Sequence, residues 1–364
     1  MRAAIFLCLL SSVLSQTPQY SAPPVITIPL DQPVDVRLKA LNAQFAATFK
    51  ADTDRELQSV KKNTGRFFYF IGKTLLTFYM NVKGDPTIYD EIAEVAAATG
   101  ADFGDLVVYN YFYEAGCTSI VGMQSMPSSS MLFASNLDFD HSAFIRKYSY
   151  QGNFTRNGQT VFIGDGIYGM VGVVRGQRVN TGGNDYAIAI NERDVERGQL
   201  FVNLLFSQPT EVVYFIRKAL QLNTYSDALN MIKETVLTTA AYYTIAGTNS
   251  NDGCVVERSA TEVHNITCLD PNTWFLVQTN YDRNLPDPSG DARRTFAESY
   301  LNNLTQDNFN ATSLMTLMMT NPILRLPNDE YRTISSIVCN NLSDPRLQST
   351  WLMYLWDNLN TVAV

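Results

Sequence analysis

Apolar residues recur at steps of three and four from Val36 onward. Leu38, Leu41, Phe45 and Phe49 share one helical face at that spacing. A second helix is expected over Phe67 to Val82. The stretch "DPTIYDEIAEVAAATG" (85–100) reads as a third, with proline near its start, Ile88, Ile92 and Val95 on one face, and Gly100 as its stop. A fourth covers "DFGDLVVYNYFYEA" (102–115). The chain up to Gly116 is therefore mostly helical, behind a proline-rich lead-in at 16–34. The period changes at Cys117. "CTSIVGMQ" (117–124) and "SMLFASNLDF" (130–139) are β-prone runs joined by the turn-rich "SMPSS". "QTVFIGDG" and "YGMVGVVRG" predict another strand pair, followed by "DYAIAINERD". Residues 209–236 turn helical again, through Val212, Phe215, Ile216 and Ala219, then Ala228, Met231 and Ile232. "YYTIAGT", "GCVVER", "EVHNITCL" and "WFLVQTNYD" are strand-like, and no element is assigned beyond Asp282. Alternating helical and strand blocks predict a layered α+β protein with sheets inside and helices outside.

The first fifteen residues, "MRAAIFLCLLSSVLS", add a compartment. Arg2 is a short positive region, Ala3 to Leu10 an apolar core, and the residues up to Ser15 a small-residue cleavage pattern. That is a secretory signal peptide, too short for the roughly 20 residues of a spanning helix. Five Asn-x-Ser/Thr sequons, at Asn153, Asn265, Asn303, Asn310 and Asn341, agree with a glycosylated lumenal or secreted protein and mark expected surface positions. The run "RFFYFIGKTLLTFYMNV" (66–82) is interrupted by Lys73 and reads as a buried or interfacial helix. Its aromatics, and those at Tyr109 to Tyr113, are expected in the core, with a lipid-facing surface as the alternative. A net charge of −8 argues against nucleic acid, whose phosphates need a basic surface.

Little conventional catalytic chemistry is on offer. There are two histidines, His141 and His264, neither beside a recognisable nucleophile, and no G-x-S-x-G elbow. No C-x-x-C spacing suggests zinc. "GDGIYG" (164–169) matches a dinucleotide fingerprint, but β-branched residues follow it instead of a helix, so it reads as a turn between strands. A hairpin turning near Thr261 would set Cys254 opposite Cys268, where a disulfide could form. Cys117 and Cys339 are left over. Cys117 could be half of a disulfide, a buried apolar residue, or a nucleophile. As a nucleophile it has one base that needs no histidine, its own α-amine, freed by cleavage of the preceding bond. Such an amine has a pKa near 7.7 and can take the thiol proton. Gly116 would suit that cleavage, because it lets the backbone strain without a Cβ clash.

"CTSIV" is followed twenty-one residues after Cys117 by the aspartate of "NLDF", then by "NERD" (191–194), "AGTNSNDGCVVER" (246–258), "VQTNYDR" (277–283) and "DARRT" (291–295). In these motifs and their order, from about Val25 onward, the chain resembles the acid ceramidase and N-acylethanolamine-hydrolysing acid amidase family. Members are lysosomal N-terminal-nucleophile hydrolases whose precursors cut themselves before the cysteine. The resemblance implies a four-layer αββα sandwich preceded by a mostly helical segment. It divides the chain into a signal peptide (1–15), a helical small subunit (16–116) and a catalytic large subunit (117–364) that stay together as a self-cleaved heterodimer. Cleavage would fall between Gly116 and Cys117. Cys117 would be nucleophile and base, Asp138 would hold its amine, and Asn280 would donate to the oxyanion. Glu192 would line the pocket, and Arg293 would complete the charge network. The expected reaction is acid hydrolysis of a lipid amide, ceramide first and an N-acylethanolamine second, without cofactor or metal. The expected setting is a lysosomal or secreted protein at a membrane or vesicle surface, aided by a lipid-presenting activator. One departure stands out. The family shows Gly-Arg-Asn-x-Asp, its arginine beside the nucleophile, where this chain has "ASNLD" with Ser135. Arg146 or Arg293 would be the compensating group, and a lipid-binding homologue without activity is the rival reading.

Overall fold

The computed structural model describes residues 20–111, 116–125, 130–139, 141–179, 184–193, 209–326, 332–339 and 350–354. The expected signal segment, the "SMPSS" turn beyond Ser125 and the Asn341 sequon lie outside them.

Helix α1 (Val34–Thr64) buries Leu38, Leu41, Phe45, Phe49, Thr53 and Leu57, a stripe at three- and four-residue steps. Gly65, at φ 81°, separates it from α2 (Arg66–Lys83). Helix α3 (Pro86–Thr99) begins at Asp85, whose side chain accepts the Thr87 N–H, and ends at Gly100 in the left-handed conformation. Helix α4 (Phe103–Tyr111) packs on α2 and leads towards Gly116.

From Gly116 onward the molecule is two stacked sheets. Strands β3 (Gly116–Met123) and β4 (Met131–Phe139) pair antiparallel. With β1 (Tyr20–Ser21), β12 (Phe275–Gln278), β13 (Arg332–Cys339) and β14 (Thr350–Tyr354) they form a six-stranded sheet, ordered β1-β14-β13-β4-β3-β12. The second sheet has eight strands, ordered β11-β10-β9-β8-β7-β6-β5-β2. These are β2 (Val25–Pro29), β5 (Ser149–Arg156), β6 (Gln159–Ile167), β7 (Arg175–Arg178), β8 (Tyr186–Glu192), β9 (Ala241–Ala246), β10 (Gly253–Arg258) and β11 (Val263–Cys268). Strand β3 packs face to face on β8 and β9. Helix α5 (Ser142–Tyr148) follows β4. Helices α6 (Val212–Ala219) and α7 (Tyr225–Glu234) cover the eight-stranded sheet, while α8 (Arg293–Leu304) and α9 (Ala311–Met318) cover the other. This is a four-layer αββα sandwich preceded by a mostly helical segment.

The segment before Gly116 is bound into the rest of the molecule at both sheets. It supplies β1 to one edge and β2 to the other. Behind β2, buried Glu91 on α3 accepts from Arg37 on α1 at 2.7 Å and from Arg217 on α6 at 2.6 and 2.8 Å. Burial opposes the Glu91 charge, but the two arginines outweigh it and hold the carboxyl below its usual range.

Three expectations need correction. "YGMVGVVRG" pairs with β6 only at its end, where β7 begins at Arg175, and strand β5, unassigned from sequence, takes the other side of β6. The reason is Gly169 at φ 88° and Gly172 at φ 148°; a Cβ on Gly172 would lie 2.5 Å from the Val213 backbone. Asn153 does not mark an open surface. It pairs on both sides, with β2 and β6, and its Oδ1 is enclosed, whereas Asn265, Asn303 and Asn310 are exposed. Helix α2 is only half core. Tyr69, Leu76, Tyr79 and Met80 are buried, but Phe67 (69%), Phe68 (71%), Phe70 (65%) and Phe78 (66%) are exposed.

Candidate active site

Strand alternation divides the β3–β4 pair into two faces. Cys117 and Ser119 on β3, with Ser135 and Leu137 on β4, turn inward to the second sheet. Thr118, Asn136 and Asp138 turn outward under α8 and α9. The register sets Gly116 opposite Asp138 and Cys117 opposite Leu137. Both ends of the Gly116–Cys117 bond are buried.

The cysteine is gripped through its backbone. Its N–H donates to Asn280 Oδ1 at 3.1 Å, and its carbonyl accepts from Arg293 Nη1 at 2.9 Å. Arg293 also reaches Asn280 Oδ1 at 2.9 Å and Thr118 Oγ1 at 3.3 Å. Helix α8 begins at Arg293, so the side chain projects from its first turn. Asp291 caps that turn through the Arg293 N–H at 3.1 Å and holds the guanidinium at 2.6 Å. In "DARRT" the two arginines diverge, because Arg294 pairs with Asp287 at 3.0 Å, away from the cysteine.

Asn280 is placed by a three-residue lock. Asn191 donates to the carbonyls of Gln278 and Thr279, the Glu192 carbonyl accepts from Asn280 Nδ2 at 2.9 Å, and Arg193 grips Asp282 through two bonds at 2.7 and 2.8 Å. "NERD" and "TNYD" are thus two halves of one joint. Glu192 enters through its backbone carbonyl, with its side chain half-buried.

Asp138 is fully buried. Thr333 Oγ1 donates to its Oδ1 at 2.7 Å, and Oδ2 faces Arg293 at 3.5 Å and Arg325 at 3.7 Å. Burial pushes its carboxyl up to about 6, against the pull of Arg293, Arg325, Thr333 and Arg175. The sequence reading missed Thr333, Arg325 and Asp291 as partners. Asp291 stood in a quoted motif, whereas Thr333 and Arg325 carry no local pattern.

Cys254 and Cys268 face each other in the β10–β11 hairpin and are bonded. Cys117 and Cys339 are unbridged and buried. Arg146 lies on α5, in a cleft with Asp52, Arg55, Glu56 and Lys147. A cavity that reaches β4 at Phe139 is lined by Thr53, Leu57, Val60, Tyr109, Phe144, Ile145 and Met170, with Glu56 and His141 paired at 2.9 Å in its wall. No group of metal-ligating side chains occurs among the described residues.

No family profile matches the chain. The N-acylethanolamine-hydrolyzing acid amidase of Caenorhabditis elegans is 29% identical over 287 residues, 73% of this chain and 77% of that protein. The acid ceramidase of Rattus norvegicus is 28% identical over 332 residues, 84% of this chain and 82% of that protein. A solved structure of the Caenorhabditis elegans amidase ortholog superposes with a TM-score of 0.54 at 28% identity, over 64% of this chain and 95% of that one. Over most of its length the chain is similar to the acid ceramidase and N-acylethanolamine acid amidase family. The rabbit (Oryctolagus cuniculus) amidase reaches 33% identity over a shorter stretch, 60% of this chain and 61% of that protein. At Ser135, where the resemblance leads one to expect an arginine, the guanidinium in contact is neither that of Arg146 nor that of Arg293. Arg175 on β7 reaches across the sandwich and donates to the Ser135 carbonyl at 2.5 Å.

Proposed function

We propose that the chain is a lipid amidase of acidic compartments, activated by its own cleavage between Gly116 and Cys117. By family it is a hydrolase of amide C–N bonds. One observation carries the rest. The atoms flanking Cys117 are held by Asn280 and Arg293, and Gly116 pairs with a buried carboxyl titrating near 6.

In self-cleavage the Cys117 thiol attacks the Gly116 carbonyl carbon. The C–N bond breaks, the nitrogen leaves as the Cys117 amine, and the acyl group passes to sulfur. Water then hydrolyses this thioester, leaving a Gly116 carboxylate and a free thiol. Asp138, neutral below about pH 6, is the proton source facing that bond. The freed amine next takes the thiol proton and Sγ attacks the substrate amide. Asn280, oriented by the bond from its Nδ2 to the Glu192 carbonyl, donates to the oxyanion, worth about 10²- to 10³-fold in rate. The amine product leaves with a proton, and water releases the fatty acid from sulfur.

We place the acyl chain in the apolar cavity between α1, α4, β4 and α5, because Phe139 in its wall follows Asp138 directly. Ceramide is the first substrate. An N-acylethanolamine is the second, favoured by the 33% identity to the rabbit amidase. The exposed phenylalanines of α2, with Lys61, Lys62, Arg66 and Lys83 about its ends, suit a helix lying on a lipid surface. No helix among the described residues is long and apolar enough to cross a membrane. The leader and the sequons support a glycosylated lysosomal or secreted protein.

N-terminal sequencing after incubation at pH 4.5 and at pH 7.5 tests the reading. A fragment beginning Cys-Thr-Ser-Ile should form faster as pH falls through about 6, and Cys117→Ala should stay whole. An uncut wild-type chain that still releases fatty acid would overturn the mechanism. Side-by-side turnover of ceramide and an N-acylethanolamine decides the substrate. Replacing Phe67, Phe68, Phe70 and Phe78 by serine should abolish co-sedimentation with anionic vesicles, and unchanged sedimentation would refute the docking helix.

A further inference from the structure

Arg175 is among the largest fully buried side chains of the molecule, and nothing in the reaction above uses it. It starts from β7 in the eight-stranded sheet. Nε and Nη2 hold Asp165 Oδ2 at 2.7 and 2.6 Å, and Nη2 also donates to Ser335 Oγ at 2.6 Å. Nη1 crosses to the other sheet, donating to the Ser135 carbonyl at 2.5 Å and to Ser135 Oγ at 3.4 Å. The positive edge of the pair therefore points at β4, and the carboxylate lies on the far side. Ser135 faces Ser119, two residues or about 7 Å along β3 from Cys117 and on the same face.

A polar chain continues from there to the cysteine. Ser135 Oγ lies 3.5 Å from Ser119 Oγ, which donates to Asn191 Oδ1 at 2.6 Å. Asn191 holds the Gln278 and Thr279 carbonyls, and Asn280 follows to take the Cys117 N–H. Strand β13 ties the two faces together. A bulge at Ile334 lets Thr333 serve Asp138 outward and Ser335 serve Arg175 inward; without it both would point the same way.

We propose that Arg175 is a positioning residue of the active site, supplying from the opposite sheet the cation that position 135 lacks. Its guanidinium favours the Cys117 thiolate from the inner face while Arg293 holds the backbone from the outer one. The field of Arg175 is also felt at Asp138, whose ionised form it favours. The charged groups around Cys117 are Asp138 on β4, Glu192 on β8 and Arg293 on α8, with Asp291 and Arg325 behind them. Asp165 on β6 is the charge paired with Arg175 among the described residues. A bare structural ion pair would join the sheets equally well but would not set the titration of Cys117.

The inference rests on Cys117 being the nucleophile, so wild type is read first. If it neither cuts at Gly116–Cys117 nor loses activity on alkylation, that reading fails before any variant is made. The test uses the self-cleaved protein, with Arg175 and Asp165 replaced together by Met and Asn so that no charge is stranded. Iodoacetamide labelling against pH, read by mass spectrometry, reports Cys117 with Cys339 as internal control. The Cys117 midpoint should rise by about one unit while Cys339 stays put, and kcat should fall about tenfold with KM little changed. Adding Ser135→Arg to the double variant should bring the midpoint back. A wild-type midpoint in the double variant, or equal shifts at both cysteines, would overturn the assignment. If the double variant does not fold, Asp165→Asn alone decides, because it leaves the Arg175 charge without its carboxylate, and the Cys117 midpoint should then fall while Cys339 stays put. A wild-type midpoint in that variant would overturn the assignment equally.

Discussion

The β3–β4–β13 ribbon carries buried charge on both faces, and the two faces are built differently. Outward, Asp138 meets two arginines at 3.5 and 3.7 Å and a threonine at 2.7 Å, and Arg293 is braced by Asp291 at 2.6 Å. Inward, one arginine and one carboxylate span the gap between the sheets. The outer group touches the backbone of Cys117 itself. The inner group reaches it only through Ser135, Ser119, Asn191 and the Asn280 turn. Direct contact gives control of geometry, whereas action at one remove gives control of charge. The outer face should therefore decide whether the reaction runs and at which pH the chain cuts itself, and the inner face the pH at which the cysteine turns over substrate.

The sharpest way to break this contrast is Arg293→Ala. It frees the Cys117 carbonyl and the Asn280 amide and leaves Asp291 without its main partner. Self-cleavage and fatty-acid release should both fall by about 10³-fold, against about tenfold for the inner double variant. Equal losses on gel and turnover assays would erase the distinction.

Stability against pH comes next. Asp138 titrates near 6 when folded, above its unfolded value, so its stabilising contribution is complete below about 4 and lost as pH rises through 6. The difference amounts to at most about 3 kcal/mol. Burial also raises Asp165, despite Arg175, in the same direction. The melting temperature should accordingly be higher at pH 4.5 than at pH 7.5 by calorimetry, and Asp138→Asn should narrow that gap. A gap unchanged in Asp138→Asn would mean that other groups set it.

Asn280→Ala should lower kcat about 10²-fold with KM held, because the bond it gives the oxyanion exists only in the transition state. A loss confined to KM would move Asn280 from chemistry to binding. The smallest effects belong to the two arms of the bulge. Thr333→Val removes a donor that lowers Asp138, so the acid-side titration seen in self-cleavage should move up by about half a unit. Ser335→Ala should leave that titration alone and move the Cys117 midpoint instead. Matching profiles for the two variants would show that the ribbon does not separate its faces.

Much of this was legible in the chain because it depends on neighbours in sequence. The α1 stripe, the capped α3 and the β10–β11 hairpin with its cysteines follow from local periodicity and turn residues. Cys117, Asp138, Asn280 and Arg293 could be gathered from motifs in order, since each motif carries its own residue. Strand β5 escaped because its alternation is diluted by Gln151, Gly152 and Asn153, and it became a strand only between β2 and β6. The phenylalanines of α2 were misjudged because an all-round apolar helix looks the same whether one side or both are covered.

By itself the sequence named the residues that could do the chemistry and the bond expected to be cut. It also set the order in which helices and strands build the layers, because side-chain type and spacing are properties of the chain. Only the tertiary structure decided which of them meet. Arg175 lies 40 residues from Ser135 and Thr333 lies 195 from Asp138. Contact across such distances is set by sheet stacking and by a one-residue bulge, and neither leaves a mark in the local pattern.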